Sequence, residues 1–563
     1  LQLAIYLQVK LHLLCEFKLL NMNKNPKILD CTLRDGGYYV DWDFDESTVK
    51  KYLSAVAIAK IDIIELGFRF LSVNKFYGAS AYSTDVYLNS INLPTNVLVS
   101  VMVNATELIQ YEHGINSAVN KLFYEKKESP VDIVRIAVNV KEIEEVFEIS
   151  EKIHDLGYRV FLNLMQVDSV NNTELSRIAS LVSDWETIEV LYFADSLGSL
   201  NSYSVENIVD SLLIGWSGAI GIHAHDNKGL ALSNSLAAHM VGVQYLDSTF
   251  LGMGRGAGNT RTEFILTEMR SLSLGDYYPD AIFPLILNEF SKLQRRYKWG
   301  PSIYYYLSAS YGIHPTYIQS MLGDERYGPE ETLSAINFLK PNNSSFFNIE
   351  NMFRASLGVE GDEDGSWFAK DWAKNKTILI IGSGKSTERY IEIIKDFIAK
   401  MEPIVLCLNV NDIISSDIVD AYVTCHETRI LVESEHYSRL NKPIVMPLKR
   451  ISNSIYKNIE DRVEILDFGL KVEEDSFIIN NNGCVLNSAL AFSYAISVAN
   501  AANANRILLV GVDGYEPSDL RQIEMVDVIK RYNNMQDCIP VTAITPTTYP
   551  INQKSIFDPD IWN

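Results

Sequence analysis

Two histidines and one aspartate have the residue types and the spacing of a metal site. The run GIHAHDNKG places His223 and His225 two positions apart in an apolar, strand-like segment, and the run TLRDGG supplies Asp35. Alternate residues of a strand point to one side, so both imidazoles are predicted to face the same space. Two imidazoles and one carboxylate, with positions left for water and substrate, favour a catalytic divalent ion. The alternative is a pair of structural histidines that only form hydrogen bonds.

An arginine next to the predicted carboxylate ligand has a second chemical role available to it. Arg34 precedes Asp35, and Glu65 ends another apolar run, IIELG. A guanidinium removed from water needs an anionic partner, so Glu65 is predicted to orient Arg34. A fixed guanidinium stabilises an oxygen that becomes negative during a reaction, such as the oxygen of an enolate. A salt bridge without a catalytic role is the alternative.

Eight apolar runs, each followed by a longer amphipathic stretch, must position these side chains. Their starts lie 26 to 36 residues apart, which is enough for one crossover helix between parallel strands. Eight consecutive units predict a closed (β/α)8 TIM barrel rather than a doubly wound open sheet, with the chemistry at the carboxyl ends of the strands. Only nine histidines occur in 563 residues, and two of them fall together at such an end. The runs are KILDCT (27–32), IDIIELG (61–67), NVLVSVMV (96–103), DIVRIAV (132–138), RVFLNLMQ (159–166), VLYFADS (190–196), AIGIHAHD (219–226) and YLDSTFLG (245–252).

A glycine-rich loop follows the eighth run. LGMGRGAGN (251–259) contains four glycines and ends in the polar Asn259. Such a loop allows backbone amides to approach a ligand or a metal shell closely, and a tight structural turn would need the same glycines. The loop alone therefore leaves both interpretations open.

The remaining sequence predicts four further segments. Residues 1–21 are predicted to be a non-structural upstream segment, because Lys10, Glu16 and Lys18 interrupt its apolar run well short of a membrane span. The barrel is predicted over 22–279 and an aromatic-rich helical extension over 280–357. A linker is predicted over 358–375, which begins with the acidic, glycine-rich GVEGDEDGSW. A smaller Rossmann-like α/β domain is predicted over 376–563.

The barrel motifs resemble one family of enzymes. TLRDGG, IIELGF, VRIAV, ADSLG, GIHAHDNKGLALSNS and STFLGMGRGAGNTRTE are similar to the metal-dependent DRE-TIM lyase superfamily of 3-hydroxy-3-methylglutaryl-CoA lyase and isopropylmalate synthase. The last two motifs are most similar to the 4-hydroxy-2-oxovalerate aldolases. The resemblance implies Asp35, His223 and His225 as metal ligands, with Asn259 at or near the metal shell. It also implies Arg34 as the enolate-stabilising arginine and Glu65 as its acidic partner.

One position departs from that family. The aldolases carry a histidine base soon after the Arg-Asp pair and the synthases carry Glu-Gln, whereas this chain has Tyr38 at that turn. A tyrosine transfers a proton at neutral pH only if a nearby cation lowers its pKa from about 10. Tyr38 is the predicted proton carrier, and Tyr39 and Tyr304–Tyr306 are other candidates. The base and the substrate stay open at this point.

The C-terminal segment carries the string GSGKST (382–387). A Walker A loop requires glycine at the position of Leu379, and the dinucleotide fingerprint requires a third glycine at the position of Thr387, so neither motif is complete. What remains is a strand, a glycine turn and a helix start, which together form a generic anion cradle. The run LNSALAFSYAISVANAANANRILLVGVDGY (486–515) faintly resembles the nucleotide-sugar-binding domain of surface-glycan sialyltransferases. A nucleotide or nucleotide-sugar ligand is predicted here.

The composition of the chain limits the kinds of partner that it can bind. The net charge of −22 opposes contact with nucleic acid or with an anionic membrane surface. Six dispersed cysteines without a CxxC pair favour a reducing, cytoplasmic setting. The metal set has no thiolate, which favours Mn²⁺ or Mg²⁺ over structural zinc. A homo-oligomer is also predicted.

Three functions follow in order of preference. The first is an aldolase or lyase that makes or breaks a carbon–carbon bond of a pyruvate-type 2-oxo acid, with an aldehyde as the second partner. The second is a Claisen-type synthase that uses an acyl-CoA. The third is a catalytically silent barrel whose C-terminal domain binds a nucleotide. The intact set Arg34, Asp35, His223 and His225 argues against the silent barrel.

Overall fold

The computed structural model describes residues 25–71, 76–324, 327–341, 344–348, 361–410, 413–426, 429–430, 442–451, 456–457, 463–473, 475–517 and 519–562. The predicted upstream segment 1–21 lies outside them. The described residues fall into two compact units, one within Leu1–Ser320 and Asn343–Phe347 and the other within Met321–Asn342 and Asn348–Asn563. No helix in the described part of the chain has the length and apolar character needed to span a membrane.

The first unit contains a closed barrel of eight parallel strands in sequence order. Each strand pairs with the next, and the first closes on the eighth with Lys27 opposite Tyr245 and Asp30 opposite Ser248. All eight predicted runs form strands in this barrel, so the predicted TIM barrel is confirmed. The strands are β1 Lys27–Asp30, β2 Ile63–Phe68, β3 Leu98–Asn104, β4 Ile133–Asn139, β5 Arg159–Met165, β6 Val190–Ala194, β7 Ala219–His223 and β8 Tyr245–Ser248.

Helices surround this barrel, and two apolar layers hold it together. A small interior layer includes Leu29, Ile133 and Phe161, and a larger layer lies between the strands and the helices. Burial of this apolar surface is the main stabilising contribution. The helices are α1 Thr32–Asp35, α2 Gly37–Val40, α3 Glu46–Ala59, α4 Ala79–Tyr82, α5 Asp85–Ser90, α6 Ala105–Ile109, α7 Ile115–Leu122, α8 Val146–Asp155, α9 Asn172–Asp184, α10 Ser202–Gly215, α11 Ala231–Met240 and α12 Thr262–Ser271.

Two of the predicted strand ends are shorter than expected. β1 ends at Asp30, and the Arg34-Asp35 pair lies in the short helix α1 instead. The Asp30 carboxylate causes this break, because it accepts a hydrogen bond from the backbone N–H of Thr32 at 3.0 Å. β7 likewise ends at His223, and His225 follows it in an isolated bridge with Asn259.

Five further helices follow the barrel in the part of the chain that the structure describes. They are α13 Phe283–Leu285, which continues into a π-helical turn Ile286–Phe290, α14 Ser291–Tyr297, α15 Ile303–Ser310, α16 Pro315–Leu322 and α17 Pro329–Leu339.

The second unit contains an eight-stranded parallel sheet in the order β14-β13-β12-β11-β10-β18-β19-β20 and a four-stranded mixed sheet in the order β16-β17-β15-β9. The strand order of the larger sheet reverses at β10, which is the kind of position where open α/β sheets bind ligands. The strands are β9 Gly361–Asp362, β10 Thr377–Ile381, β11 Ile404–Leu408, β12 Ala421–Val423, β13 Ile444–Met446, β14 Ile465–Asp467, β15 Gly469–Val472, β16 Phe477–Asn480, β17 Gly483–Leu486, β18 Arg506–Val510, β19 Val541–Ala543 and β20 Asn552–Gln553. The helices are α18 Lys385–Arg389, α19 Ile391–Met401, α20 Ala491–Ala501 and α21 Leu520–Asn533.

The described part of the predicted linker is not a linker. Its residues 361–362 form β9, which pairs antiparallel with β15, and Ala369 and Ala373 are buried in the core of the second unit. The acidic start of the segment predicted exposure, but the apolar residues that follow it pack against the sheet. The other domain boundaries stay predictions.

Candidate metal centre and active site

The carboxyl ends of the barrel strands surround a cavity. Arg34, Asp35, Tyr38, His223 and His225 all line it, although they come from opposite ends of the barrel sequence. Glu65 and Asn259 are buried behind this lining, in direct contact with Arg34 and with His223. The structure therefore brings all seven predicted site residues together. Tyr39 and Tyr304–Tyr306 are not among the lining residues.

Asp35, His223 and His225 form a cluster of metal-ligand atoms. Their ligand atoms all lie within 4.8 Å of one another. Oδ2 of Asp35 is 3.4 Å from Nε2 of His223 and 4.0 Å from Nε2 of His225. Both Oδ2 of Asp35 and Nε2 of His225 are buried without a hydrogen-bond partner. Buried polar atoms that lack a partner are rare, so these atoms fit the ligands of a cation.

The other ring nitrogen of each histidine fixes its orientation. Nδ1 of His223 donates to Oδ2 of Asp247 at 2.9 Å, and Nδ1 of His225 donates to the backbone carbonyl of Asp195 at 2.8 Å. Both contacts leave Nε2 of each ring on the side of Asp35, as a metal-ligating histidine requires. Burial lowers the pKa of His225 to about 3, so this imidazole is neutral at physiological pH.

Charge balance keeps Asp35 ionised. Burial alone would raise the pKa of Asp35, but the Arg34 guanidinium and His223 hold it well below its usual range. Anionic Asp35 with neutral His225 is the protonation state that binds a divalent ion. Cys31, His223 and Asp247 form a second cluster of this kind, but burial raises the pKa of the Cys31 thiol well above 9.0, which leaves no thiolate there.

Asn259 adds an amide to the cluster. Its Nδ2 is 3.1 Å from Nε2 of His223, and its Oδ1 is buried without a partner. Gly254 keeps the space beside it open, because a Cβ atom at position 254 would lie 1.7 Å from Oδ1 of Asn259 and 2.9 Å from Oδ2 of Asp35. The predicted donor set of one carboxylate, two imidazoles and one amide oxygen thus fits a divalent cation.

A buried network of alternating charges lies beneath the metal cluster. Nε of Arg34 donates to Glu65 at 2.6 Å and its Nη1 donates to Asp35 at 2.7 Å. Arg135, which is fully buried, connects Glu65 at 3.3 Å to Asp247 at 2.7 Å. Since Asp247 also holds His223, a continuous chain of ion pairs connects Arg34 to the imidazole. Nη2 of Arg34 stays buried without a partner, which leaves one donor free for a substrate.

Tyr38 lies at the wall of the cavity and is 38% exposed. Its ring makes edge contacts with Trp42 and Phe68, and the Arg255 guanidinium lies 6.0 Å from its centroid. Burial raises the pKa of Tyr38, and Arg255 offsets this only in part. The shift is therefore opposite in direction to the lowering that a tyrosine base requires.

The sequence analysis did not identify three charged residues of this site. Arg135 and Asp247 are single charges inside the apolar runs DIVRIAV and YLDSTFLG, and that placement is the signal that could have identified them. Their partners lie 70 and 112 residues away in the sequence, so no local pattern shows the pairing. Arg255 was counted only as part of a glycine-rich loop.

The glycine turn of the second unit differs from the predicted anion cradle. The Asp513 carboxylate accepts a hydrogen bond from the backbone N–H of Ser386 at 2.9 Å and another from its hydroxyl. A Cβ atom at Gly384 would lie 2.7 Å from Oδ2 of Asp513. The turn is thus closed by an acidic side chain, which repels a phosphate.

Comparisons with known proteins show which proteins the barrel resembles. Residues 25–276 match the family model described as HMGL-like. The 4-hydroxy-2-oxovalerate aldolase of Carboxydothermus hydrogenoformans is 29% identical over 45% of this chain and 72% of its own length. The oxaloacetate decarboxylase of Mycobacterium tuberculosis is 26% identical over 44% of this chain and 71% of its own. The solved N-terminal domain of a Bacteroides vulgatus protein described as an aldolase is 28% identical, with a TM-score of 0.48 over 52% of this chain and 95% of that domain.

Proposed function

We propose that the HMGL-like domain formed by residues 25–276 is a divalent-metal-dependent carbon–carbon lyase that cleaves or forms 4-hydroxy-2-oxo acids through an enolate. The observation that carries this proposal is the convergence of unpartnered atoms on one buried point. Oδ2 of Asp35, Nε2 of His225, Oδ1 of Asn259 and Nη2 of Arg34 are all buried without a partner, and the ligand atoms of Asp35 and His225 lie within 4.8 Å of each other. A purely structural cluster would be expected to satisfy these atoms internally.

Asp35, His223, His225 and Asn259 are the residues that would hold the ion. Mn²⁺ or Mg²⁺ is proposed because the set mixes a carboxylate, imidazoles and an amide oxygen without a thiolate. When bound, such an ion supplies Lewis-acid polarisation of the 2-oxo acid. Gly254 would keep the path to the ligands open, since any larger side chain would occupy it.

Arg34 is proposed to stabilise the enolate. In the cleavage direction the bond between C3 and C4 breaks, its electron pair moves to C3 and onto the 2-oxo oxygen, and the 4-hydroxyl loses its proton. The free Nη2 of Arg34 then donates to that oxygen as it becomes negative. Glu65 and Asp35 hold the guanidinium in place, so little reorganisation is needed during the reaction.

Tyr38 is proposed to deliver a proton in the addition direction. Its raised pKa keeps the phenol protonated at neutral pH, so it is suited to donate a proton to the aldehyde oxygen as the new bond forms. In the cleavage direction the phenol is already protonated, so the proton of the 4-hydroxyl passes to water. The role of base in enolate formation stays open.

The names of the relatives support a shared intermediate. Cleavage of 4-hydroxy-2-oxovalerate and decarboxylation of oxaloacetate both leave the enolate of pyruvate when the bond beyond C3 breaks. A 2-oxo acid is therefore the proposed first substrate of this chain, with an aldehyde as the second.

Product formation tests the proposal. The full chain, loaded with Mn²⁺, is incubated with pyruvate and a panel of aldehydes, and 4-hydroxy-2-oxo acids are measured by NMR. His225→Ala is expected to lose metal and turnover, whereas His113→Ala, which changes an exposed histidine, is expected to keep both. If acetyl-CoA and a 2-oxo acid release free thiol while no aldol product forms, the Claisen-type synthase takes the place of this proposal. A His225→Ala variant that keeps both its metal and its turnover would contradict the metal site.

A nucleotide or nucleotide sugar is the proposed ligand of the second unit. Support comes from the strand-order reversal at β10. Because the carboxylate of Asp513 closes the glycine turn, we propose that Asp513 binds the sugar hydroxyls of the ligand and not its phosphate. A thermal-shift series with ATP, UDP and CMP is expected to show stabilisation by one of them that Asp513→Asn reduces, and the absence of any shift would contradict the proposal.

A cytoplasmic, homo-oligomeric enzyme is also proposed. Support for a reducing setting is that Cys31, Cys425, Cys484 and Cys538 form no disulfide in the described part of the chain. Light scattering of the purified chain tests the oligomer, and a monomer would contradict it.

A further inference from the structure

Among the described residues, one cationic side chain of the active-site cavity has no acidic partner. Arg255 lines the cavity beside Arg34 and the metal cluster, and its Nε atom is buried without a hydrogen-bond partner. Among the described residues no carboxylate lies within 4.0 Å of its guanidinium. Arg34 and Arg135, in contrast, each contact two acids.

The groups that face Arg255 do not neutralise it. They are the ring of Tyr38 at 6.0 Å, His225 and His314. None of these three side chains is a carboxylate, so none is a counter-ion for the guanidinium. Because the Nε atom of Arg255 is buried without a partner and no described carboxylate faces it, this guanidinium is available to bind an anion from outside the chain.

The loop that carries Arg255 is fixed on both sides. The backbone N–H of Gly256 donates to Oε1 of Gln319 at 3.0 Å, and its carbonyl accepts from the Tyr39 hydroxyl at 2.7 Å. The carbonyl of Arg255 accepts from the backbone N–H of Gly258 at 3.2 Å. These bonds hold the backbone from which the Arg255 side chain reaches the cavity wall.

We propose that Arg255 determines specificity by binding a negatively charged group, a carboxylate or a phosphate, on the second substrate. The inference rests on the proposed function, in which the metal cluster and Arg34 serve the carboxylate and the 2-oxo oxygen of the first substrate. A further cation in the same cavity then matches a further negative group, and a guanidinium fork suits both carboxylate and phosphate. The preferred substrates are accordingly acidic aldehydes and the corresponding 4-hydroxy-2-oxo diacids or their phosphorylated counterparts.

The walls of the cavity limit the length of such a substrate. Its apolar wall includes Phe68, Met102, Ala137 and Met165. This wall suits a short carbon chain between the reacting carbon and the charged end.

A binding comparison tests Arg255 without any need for turnover. Calorimetry on the Mn²⁺-loaded full chain measures the Kd of 2-oxoglutarate and of 2-oxopentanoate, which have the same length and differ in the second carboxylate. The wild type is expected to bind the diacid on the order of 10- to 100-fold more tightly. Arg255→Gln is expected to reduce that ratio to about one, and Arg255→Lys to retain part of it. Arg270→Gln, a matched change at an exposed arginine, is expected to keep the wild-type ratio.

A second arm distinguishes carboxylate from phosphate. Wild type and Arg255→Gln are compared for the kcat/KM of succinic semialdehyde against butanal and of glyceraldehyde 3-phosphate against glyceraldehyde, each with pyruvate. The pair whose preference disappears in the variant identifies the anionic group.

Three results would overturn the inference. They are equal affinity of the wild type for diacid and monoacid, a diacid preference that survives Arg255→Gln, and an equal loss of both ligands, which would place Arg255 on the carboxylate of the first substrate. Methyl-proton exchange of pyruvate by the wild type, measured separately, shows whether the proposed function still holds in each case.

Discussion

The carboxylate of Asp247 holds the metal-facing imidazole of His223 in place, with 2.9 Å between Oδ2 and Nδ1. The same oxygen accepts a hydrogen bond from Arg135 at 2.7 Å. Burial alone would raise the pKa of Asp247, but Arg135 and His223 lower it, so the carboxylate is ionised when it orients the ring. The histidine is thereby aligned by a residue that never contacts the cavity.

Asp247→Asn should weaken metal binding. Partners of this kind typically contribute about 10- to 100-fold to metal affinity, and we expect a loss of that size in Mn²⁺ affinity. Removing one partner of a buried ion pair also destabilises a protein by roughly 3–5 kcal/mol, so affinity is measured by electron paramagnetic resonance well below the Tm of the variant. Asp280→Asn at an exposed ion pair is the control. Wild-type affinity in a folded Asp247→Asn would contradict the orienting role.

Arg34→Lys should keep the metal and lose turnover. A lysine ammonium is a point charge and cannot hold Glu65 and Asp35 while also donating to a substrate oxygen. Removal of one such donor typically costs about 10²–10³ in kcat, and we expect a loss in that range. Metal content and aldol kinetics are measured together, with Arg270→Lys as the control. Near-normal kcat for Arg34→Lys would show that this guanidinium does not stabilise the enolate.

Tyr38→Phe should slow addition of the aldehyde. The loss of one general acid typically costs about 10²–10⁴ in rate, whereas the metal ligands are not altered. Because the pKa of Tyr38 is raised above 10, the wild-type addition rate should stay constant through neutral pH and fall as the pH rises through that pKa. Stopped-flow pH profiles of both proteins test this, with Tyr203→Phe at an exposed tyrosine as the control. An unchanged profile would exclude Tyr38 as the proton donor.

Gly254→Ala should block metal binding by filling space. The new Cβ would lie 1.7 Å from Oδ1 of Asn259, so either the loop or the ligand must move. We expect metal content to fall while the circular dichroism spectrum stays close to that of the wild type. Gly114→Ala, where nothing lies within 4 Å of the added atom, controls for the addition of a methyl group away from the site. Full metal occupancy in Gly254→Ala would contradict Asn259 as a ligand.

Asp195→Asn should change how stability depends on pH. Burial raises the pKa of Asp195 from 3.8 to about 7, so between these values the folded state holds a proton that the unfolded state has lost. The free energy of unfolding therefore falls as pH rises through this window, by an amount on the order of 2–4 kcal/mol. Asparagine keeps the acceptor for the backbone N–H groups of Ser199 and Leu200 and cannot ionise. The Tm of the variant should exceed that of the wild type at pH 8 but not at pH 5. An equal difference in Tm at both pH values would contradict the raised pKa of Asp195.

The barrel was predictable from the sequence because apolar runs and amphipathic stretches repeat along the chain. His223, His225 and Asp35 were identified for the same reason, since chemistry-bearing residues at strand ends stand out against that pattern. The contact between Arg34 and Glu65 was predicted as well. The rest of the network was not, because Arg135 and Asp247 meet Glu65 and His223 only after the barrel closes, and no local pattern shows which charges pair across its interior.

The segment after the barrel was less predictable. An acidic, glycine-rich start was interpreted as a linker, yet Ala369 and Ala373 a few residues later are fully buried. Composition averaged over a segment hides such short apolar contributions to a core. Arg255 shows a related limit, since the absence of a partner is a property of the folded cavity and not of the sequence around it.

Exchange of the methyl protons of pyruvate tests the central claim most directly. The Mn²⁺-loaded full chain is incubated with pyruvate in deuterated water without an aldehyde, and the methyl signal is followed by proton NMR. We predict loss of that signal at a catalytic rate in the wild type, and no exchange above the metal-only background in His225→Ala or Arg34→Lys. If the wild-type protein holds one equivalent of metal and still exchanges the methyl protons no faster than the metal alone, the enolate chemistry assigned to this barrel is contradicted.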